Sequence, residues 1–350
     1  MTDQPKPKPK QHPDYVKEPM DRRTLLKKLG AAAGIFGGVG YMALAPEGAP
    51  GSWRDVTGLR SKPVIKPIRL NDFRVEKPSP SHPDVGVGRG GTVEQMLTKA
   101  LDAVGGLKHY VKPGDIVLVK PNVAFDRAPA LGATSQPALL DVLIKMLLRD
   151  CKAQEVRVAD NPIESPADCF MKTGLRQAAE DAGGRVYLPD GNAFKMLHTP
   201  GATLIETWWF FHRPFTNVDK VIGVAPVKDH NLCYASMGIK NWYGLLGGTR
   251  NQFHQDIHEI VSDLSIMIRP TLTLLDGTHV LMQNGPTGGD PSNVKQRDVV
   301  MASLDPVASD AWAFQHLLER SPRDYPAYLA LAEAKGSGKI DWRGRLEEIA

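Results

Sequence analysis

Short apolar runs alternate with helical patterns through most of the chain, and this alternation limits the fold more than any other feature. The run 116–119 is Ile-Val-Leu-Val, and an amphipathic helical pattern follows at 136–148. Apolar runs without polar alternation are typical of strands buried on both faces, as in parallel sheets. The alternation therefore predicts an α/β fold with a largely parallel sheet flanked by helices.

Five of the predicted strands end in polar residues. In sheets of this kind, ligands bind at the carboxyl ends of the strands. One or two polar ends would be ordinary turn chemistry, whereas five at equivalent positions predict a site. The residues at these ends are Lys120 with Asn122, Asp160, Lys228, Asp276 and Asp305.

Two glycine-rich segments add further candidates. Residues 240–250 combine a lysine and an arginine with a glycine-rich turn, which can present N–H groups and positive charge to an anion. A flexible surface loop is the alternative. Residues 284–290 either close over a ligand or only turn the chain. The ligand-binding candidates in the two segments are Lys240, Asn241, Gly244, Arg250, Gly285 and Gly288.

His254 and His258 are spaced four apart at the start of a predicted helix and share one face, which is the spacing of a metal pair. The order of a zincin motif is absent, and a solvated helix face is the alternative. Asp305-Pro306 predicts a helix start with Asp305 as N-cap. Asp310 then lies one turn into that helix, where a carboxylate has less reason to occur unless it is exposed or paired.

Charge and cysteine content exclude several classes of function. The chain of 350 residues has a net charge of +4, of which residues 1–50 carry +3. The remainder is close to neutral, so nucleic-acid binding has no electrostatic support there. The three cysteines are Cys151, Cys169 and Cys233, and they cannot supply four thiolates to an iron–sulfur cluster. A disulfide between Cys151 and Cys169 is the remaining alternative if the protein resides in an oxidising compartment.

The N-terminal region has the pattern of a twin-arginine signal. Arg22-Arg23 is followed by two leucines and a lysine, and residues 29–45 form an uncharged stretch of seventeen residues with five glycines. This weakly hydrophobic stretch suits a twin-arginine signal better than a stable membrane span. We therefore expect export by the twin-arginine translocase to the periplasm or the outer face of the inner membrane, with retention as an anchor left open. Residues 1–51 are assigned to the signal, 52–90 to a Pro/Gly-rich linker or wrapping segment, and 91–350 to the α/β domain.

A set of short motifs, in order along the chain, resembles the domain-of-unknown-function family 362. The resemblance implies an α/β domain that sometimes occurs in iron–sulfur proteins and sometimes follows a twin-arginine signal, without a settled reaction. Many members carry a ferredoxin module with clustered cysteines, which this chain lacks. The motifs are Val119-Lys120-Pro121-Asn122, Thr134-Ser135-Gln136-Pro137, Lys240-Asn241 with Gly244, Asp276-Gly277, Gly285-Pro286 with Gly288, and residues 303–308 with Asp310.

These observations predict an exported α/β protein whose polar cleft binds an anionic ligand, with or without a divalent metal, and which is an enzyme of unassigned reaction. In this interpretation cationic side chains hold the anion as charge-assisted donors, and acidic and amide side chains supply oxygen ligands or a general base. The alternatives are a non-catalytic binding or maturation partner of an exported redox enzyme, and a metal-dependent hydrolase. The cations are Lys120, Lys228, Lys240 and Arg250, and the oxygen donors are Asp276, Asp305, Asp310, Asn122 and Asn241.

Overall fold

A computed structural model describes residues 66–350 of the chain. The predicted signal region, 1–51, and residues 52–65 of the predicted linker or wrapping segment lie outside the described residues. The strands are β1 (Val85–Arg89), β2 (Ile116–Lys120), β3 (Glu155–Ala159), β4 (Arg185–Tyr187), β5 (Phe194–His198), β6 (Thr207–Phe211), β7 (Lys220–His230), β8 (Tyr234–Ser236), β9 (Leu272–Leu281), β10 (Val294–Gln296), β11 (Val299–Ser303) and β12 (Leu346–Ile349). The α-helices are α1 (Val93–Ala103), α2 (Leu107–Tyr110), α3 (Pro137–Lys145), α4 (Pro166–Lys172), α5 (Leu175–Asp181), α6 (Gly238–Asn241), α7 (Ile257–Met267), α8 (Pro306–His316) and α9 (Ala327–Ala334).

The main sheet has the strand order β12-β1-β11-β9-β7-β2-β3-β4, with β8 added to β7 and β10 added to β9. The neighbours β4, β3, β2, β7 and β9 run parallel to one another. Strand β11 is antiparallel to both β9 and β1. The predicted α/β fold is confirmed, and its parallel half brings the carboxyl ends of β2, β3 and β7 to one edge of the sheet.

The sheet is covered on both faces, which explains its continuous apolar runs. In β2, Val117 and Val119 are buried in the core that includes Leu140 of α3, whereas Leu118 is buried in a second core that includes Ile260 of α7. Burying an aliphatic side chain of this size contributes about 1.5–3 kcal/mol. A polar residue on either face of β2 would lose this contribution, so the strand is apolar throughout until Lys120.

Strand β1 lies within the segment 52–90 that the sequence assigns to a linker. Its glycines face α1 at very short range, since a Cβ added to Gly88 would lie 1.9 Å from the carbonyl oxygen of Met96. At Gly86 the added Cβ would lie 2.1 Å from the carbonyl oxygen of Ala100. The glycines that suggest a linker or wrapping segment are therefore needed at 85–89 for close packing of a strand against a helix.

The apolar pattern of residues 167–182 predicts one helix, but the structure has two, α4 and α5. Gly174 separates them with a φ of 70°, a left-handed conformation that ends the first helix. Prediction over the whole range failed because the apolar pattern continues across this glycine.

The apolar runs of the sequence predict strands that end at Ala225 and Leu275, but β7 and β9 extend beyond these residues. Each gains a hairpin partner, β8 on β7 and β10 on β9. Lys228 and Asp276 consequently lie within strands rather than in the loops that follow them. In residues 66–350, no helix combines the length and the apolar character that crossing a bilayer requires.

Candidate functional site

A pocket of about 90 Å³ lies at the carboxyl ends of the parallel strands. Lys120 ends β2, Asp160 follows β3, and Lys228 lies near the end of β7. The chain after β8 adds α6 and the 3₁₀ turn that starts at Arg250. We call this site the lysine pocket, and the residues that define it are Lys120, Asn122, Asp160, Lys228, Lys240, Asn241 and Arg250.

Lys120 and Asp160 form a buried ion pair at the base of the lysine pocket. The Nζ–Oδ1 distance is 2.7 Å, and both side chains are almost fully buried. The second carboxylate oxygen of Asp160 accepts a hydrogen bond from the main-chain N–H of Val123 at 2.7 Å. Burial lowers the pKa of Lys120, and the charge of Asp160 opposes this shift. Asp160 is thus paired with Lys120, and its negative charge is already compensated.

Asn241 holds Lys120 in place. Its Oδ1 accepts from Lys120 Nζ at 2.8 Å and from Asn122 Nδ2 at 3.1 Å. Its Nδ2 donates to the carbonyl oxygens of Lys120 and Val224, both at 3.1 Å. The amide therefore ties α6 to β2 and β7, which fixes the position of the neighbouring Lys240.

Lys228 is buried without an acidic partner in the described part of the chain. Its Nζ donates to Asn122 Oδ1 at 3.2 Å and to the carbonyl oxygen of Ala133, and it lies 5.2 Å from the ring centroid of Phe125. Burial is the main cause that holds the pKa of Lys228 well below its ordinary value, and the charge of Lys240 adds to it. A buried ammonium without a counter-charge is costly, so this side chain either loses its proton or meets an anion.

Lys240 is half-buried and makes no hydrogen bond or ion pair with any residue of 66–350. Its Nζ lies 5.2 Å from the ring centroid of Tyr243. Burial lowers its pKa, and the charge of Arg250 lowers it further. All three N–H donors of Lys240 are therefore available to a ligand.

Asp310 lies behind α6 rather than in the lysine pocket. Its carboxylate accepts from the main-chain N–H groups of Gly238 and Ile239 at 2.9 and 3.1 Å. Burial raises its pKa to about 7. Of the two alternatives from the sequence, exposed or paired, Asp310 is paired, because it accepts from the two N–H groups that begin the short helix carrying Lys240.

Arg250 organises the wall of the lysine pocket. Its two terminal nitrogens donate to four main-chain carbonyl oxygens, two in the segment after α6 and two in the segment after β3. Because these donors are occupied, Arg250 contributes positive charge to the pocket rather than the free donors expected from the sequence. The acceptors are the carbonyl oxygens of Tyr243, Leu246, Asn161 and Pro162.

Gly244 makes room for the ion pair. A Cβ at this position would lie 2.0 Å from Asp160 Oδ1 and 2.8 Å from Lys120 Nζ. The main-chain oxygen of Gly244 also accepts from the N–H of Asn161 at 2.8 Å. The glycine is thus required by close packing around Asp160.

Two of the five polar strand ends do not join the lysine pocket. Asp276 is buried inside β9, where it accepts from the main-chain N–H of Gln136 at 2.9 Å and from the hydroxyl of Thr278 at 2.6 Å. Burial raises its pKa. Asp305 follows β11, which runs antiparallel, so it lies at the opposite edge of the sheet and caps α8. The expectation of five ends at one edge is wrong for Asp305 because β11 runs antiparallel, and Asp276 lies within β9 rather than after it.

The second glycine-rich segment reaches the lysine pocket through Pro286. The N–H of Gly285 donates to Asp229 Oδ2 at 2.9 Å, and its Cα packs against the main chain of Asp229. Gly288 packs beside Leu131 and Leu281. Both glycines support the loop from outside the pocket.

The two histidines face different surroundings. His254 lines the lysine pocket, and its Nδ1 lies 3.0 Å from the carbonyl oxygen of Asn251. His258 stacks between the rings of Tyr234 and Tyr328. Within residues 66–350, no three His, Cys, Asp or Glu side chains are placed to hold a metal ion. That His254 and His258 bind a metal ion together stays a prediction.

His230 is a pocket residue that the sequence prediction missed. It is two positions after Lys228 in β7, so both side chains lie on the same face of the strand. The alternation of side chains along a strand could therefore have identified His230 from the sequence. Its Nδ1 accepts from the main-chain N–H of Leu232 at 3.1 Å, which leaves Nε2 as the protonated nitrogen. Burial and the neighbouring lysines lower its pKa to about 2, so the imidazole is neutral.

The charges of the lysine pocket favour an anion over a divalent cation. Four cationic side chains line it, whereas its one carboxylate, Asp160, is paired with Lys120. Divalent cations such as Mg²⁺ and Ca²⁺ require several oxygen ligands with negative charge. The donor set therefore does not fit a divalent metal in this pocket.

The three cysteines are free, buried thiols. Burial raises the pKa of each to about 11. The Cys151–Cys169 disulfide left open by the sequence is therefore absent. Each thiol behaves as a small apolar group in its core.

Comparison with known proteins gives a family and a few distant relatives. The chain is 26% identical over 257 residues to the thylakoid-associated protein sll1697 of Synechocystis sp., which covers 69% of this chain and 74% of that protein. The lactate racemase apoprotein from Thermoanaerobacterium thermosaccharolyticum superposes with a TM-score of 0.38 at 12% identity, covering 68% of this chain and 56% of that one. A Thermotoga maritima protein gives 0.35 at 13% identity, covering 70% and 58%. The chain thus spans little more than half the length of these two solved proteins, and at these scores neither likeness bears on function.

The family model described as "Domain of unknown function (DUF362)" matches residues 117–315, from β2 through most of α8. This range contains every residue that defines the lysine pocket and amounts to more than half of the chain. The protein therefore belongs to the DUF362 family.

Proposed function

We propose that the lysine pocket binds a small anionic substrate and that the chain is an enzyme acting on it. The observation that carries this proposal is the pair Lys228 and Lys240. Both amines line a small pocket, and no carboxylate among the described residues is left to pair with them. An anion would supply the missing negative charge.

The energetic argument rests on the cost of unpaired charge. Removing an ammonium group from water is expensive unless an opposite charge and hydrogen bonds compensate for it. Lys228 has two neutral acceptors and Lys240 has an aromatic ring, and neither supplies a negative charge. A bound anion would accept charge-assisted hydrogen bonds, which are about twice as strong as neutral ones.

The size of the pocket limits the ligand. At about 90 Å³ it is much smaller than the pockets of roughly 300–1,000 Å³ that hold drug-sized ligands. Inorganic phosphate and short-chain carboxylates are anions of suitable size. A neutral imidazole, His230, and amines with a lowered pKa in one pocket favour catalysis over simple storage of an ion.

Thermal unfolding with added anions tests this proposal. A ligand at about 100 times its Kd stabilises the folded state by roughly 2.7 kcal/mol. We expect phosphate, pyruvate or propionate to raise the unfolding temperature of the wild type but not of Lys240→Ala. The exposed Lys195→Ala variant is the matched control and should respond like the wild type. Equal responses of wild type and Lys240→Ala to every anion would contradict the proposal.

We also propose that the chain is exported, folded, by the twin-arginine route to the periplasm or the outer face of the inner membrane. The support is Arg22-Arg23 followed by the uncharged stretch 29–45. The Synechocystis relative is named for its association with thylakoids, which agrees with a location at a membrane. Replacing both arginines by lysine should keep the protein in the cytoplasm, and normal export of that variant would contradict the proposal.

A further inference from the structure

We propose that Lys240 is a nucleophile whose amine forms an imine with the carbonyl carbon of a small 2-oxo acid bound in the lysine pocket. The inference rests on the proposed anion site and specifies the substrate class of that site. It makes Lys240 a catalytic residue as well as part of the anion site, with Lys120 and Lys228 as further donors to the substrate carboxylate.

Contacts distinguish Lys240 from the other lysines. Lys120 is held by Asp160 at 2.7 Å and by Asn241 at 2.8 Å. Lys228 is held by Asn122 at 3.2 Å and by a carbonyl oxygen. The amine of Lys240 alone of the three has no such partner in the described chain, so its nitrogen lone pair can be directed at a ligand.

The surroundings of Lys240 favour the neutral amine, which is the reactive form. Burial and the guanidinium of Arg250 both lower the pKa of Lys240, whose side chain shares the pocket with Lys120 and Lys228. An amine that is desolvated beside other cations is a recognised activated nucleophile for carbonyl compounds. The aromatic ring of Tyr243 lies against it, and the nearby thiol of Cys233 stays protonated because burial raises its pKa to about 11.

The remaining donors match the other groups of a 2-oxo acid. Lys120 and Lys228 each keep one N–H beyond their protein contacts, and these can hold a carboxylate. His230 carries its proton on Nε2 and can donate to the adjacent carbonyl oxygen as a neutral imidazole. The small volume of the pocket favours a ligand in which carboxylate and carbonyl are neighbours.

The covalent step balances without a further reactant. The Lys240 nitrogen attacks the carbonyl carbon, and the C=O π electrons move to oxygen. A proton passes from nitrogen to that oxygen, giving a carbinolamine. The nitrogen lone pair then forms the C=N bond as the C–O bond breaks, the remaining N–H proton passes to the departing hydroxyl, and one water molecule leaves. The amine and the 2-oxo acid thus give an imine and water.

Reductive trapping tests the proposal on the full-length protein. Incubation with pyruvate and cyanoborohydride should add the mass of one pyruvic acid less one oxygen atom, and peptide mapping should place it on Lys240. Propionate, which has the carboxylate but no carbonyl, should protect the wild type from labelling by competition. The exposed Lys195 supplies the background level for a solvent-accessible lysine.

Variants separate this inference from the proposed function. Lys240→Arg keeps a positive charge, so we expect it to be stabilised by propionate but not labelled by pyruvate. Lys240→Met serves the same purpose if the arginine variant does not fold, with loss of the label as its readout. Stabilisation of the wild type by propionate and pyruvate with labelling no higher than at Lys195 would overturn the imine and leave the anion site standing. Absence of stabilisation by either carboxylate would overturn both.

Discussion

Charged residues lie at two opposite edges of the sheet, and the two groups differ in how they are paired. At the carboxyl end of β11, Asp305 and Asp84 both contact Arg345, at 2.7 and 2.9 Å, and Asp84 also contacts Lys77 at 3.1 Å. We call these residues the Asp305 cluster. In the lysine pocket Lys120 is paired, whereas Lys228 and Lys240 have no acidic partner among residues 66–350.

The difference indicates which charges are structural. In the Asp305 cluster each charge has an opposite charge within the chain, so the cluster needs no ligand. In the lysine pocket the chain leaves positive charge uncompensated at a site of ligand size. Perturbed titratable groups in a cleft are candidates for function, whereas paired groups are more often part of the fold.

The largest effect on stability is expected from Asp305→Ala. The Asp305 carboxylate accepts from the N–H groups of Val307 and Ala308 at the start of α8, and it pairs with Arg345. Losing the cap and the charge-assisted contacts together should lower the free energy of unfolding by about 3 kcal/mol. Urea denaturation measures this change. A loss below about 1 kcal/mol, typical of an exposed ion pair, would show that the cluster is not structural.

A smaller loss of stability, combined with loss of binding, is expected from Gly244→Ala. The added methyl group would overlap Asp160 and displace it from Lys120. Overpacking of this kind costs about 1–3 kcal/mol, and the disturbed ion pair should also abolish stabilisation by phosphate or pyruvate. Gly191→Ala is the matched control, because a Cβ there meets no atom within 4 Å. Wild-type anion binding in Gly244→Ala would show that the ion pair does not shape the site.

The smallest effect is on the pH dependence of the lysine pocket, where stability and anion affinity should change in opposite directions. This effect tests most directly whether the lysine pocket differs from the Asp305 cluster. The pKa of Lys228 is lowered on folding, so the unfolded chain binds more protons between the lowered value and the ordinary 10.5. Without a ligand, stability should therefore rise with pH in this window. Anion affinity should fall over the same window, because the lysines lose their charge.

Lys228→Met is the control for these slopes. It removes the titrating group, so the rise in stability with pH should be reduced, and the anion should stabilise the variant less than the wild type. Unfolding measured from pH 7 to 10 with and without phosphate gives both slopes. An anion affinity that does not change with pH would contradict a role for the lysines.

The fold was predictable where local sequence decides structure. Ile116–Lys120 was found because a strand buried on both faces is apolar along its whole length, here as far as Lys120. The direction of β11 was not predictable, because the apolar pattern of a strand is the same whether it pairs parallel or antiparallel with its neighbours. That direction alone moves Asp305 from the predicted site to the other edge.

The candidate site was predictable as a set of residue types rather than as a set of contacts. Lys120, Asp160 and Lys228 meet because the order of parallel strands makes β2, β3 and β7 neighbours. The four carbonyl oxygens that accept hydrogen bonds from Arg250 belong to two loops that are distant in sequence, so these contacts could not be predicted from local patterns. His230 was overlooked because alternation was not followed past the predicted end of β7.

Isothermal titration of phosphate and pyruvate into wild type, Lys240→Ala and Lys195→Ala tests the central claim most directly. A lost charge-assisted hydrogen bond costs about 1.5–3 kcal/mol, so Lys240→Ala should bind its anion roughly 10- to 150-fold more weakly than wild type. Lys195→Ala should bind like the wild type. Equal affinity of wild type and Lys240→Ala, or no binding of either anion by the wild type, would contradict the claim that the unpaired lysines form an anion site.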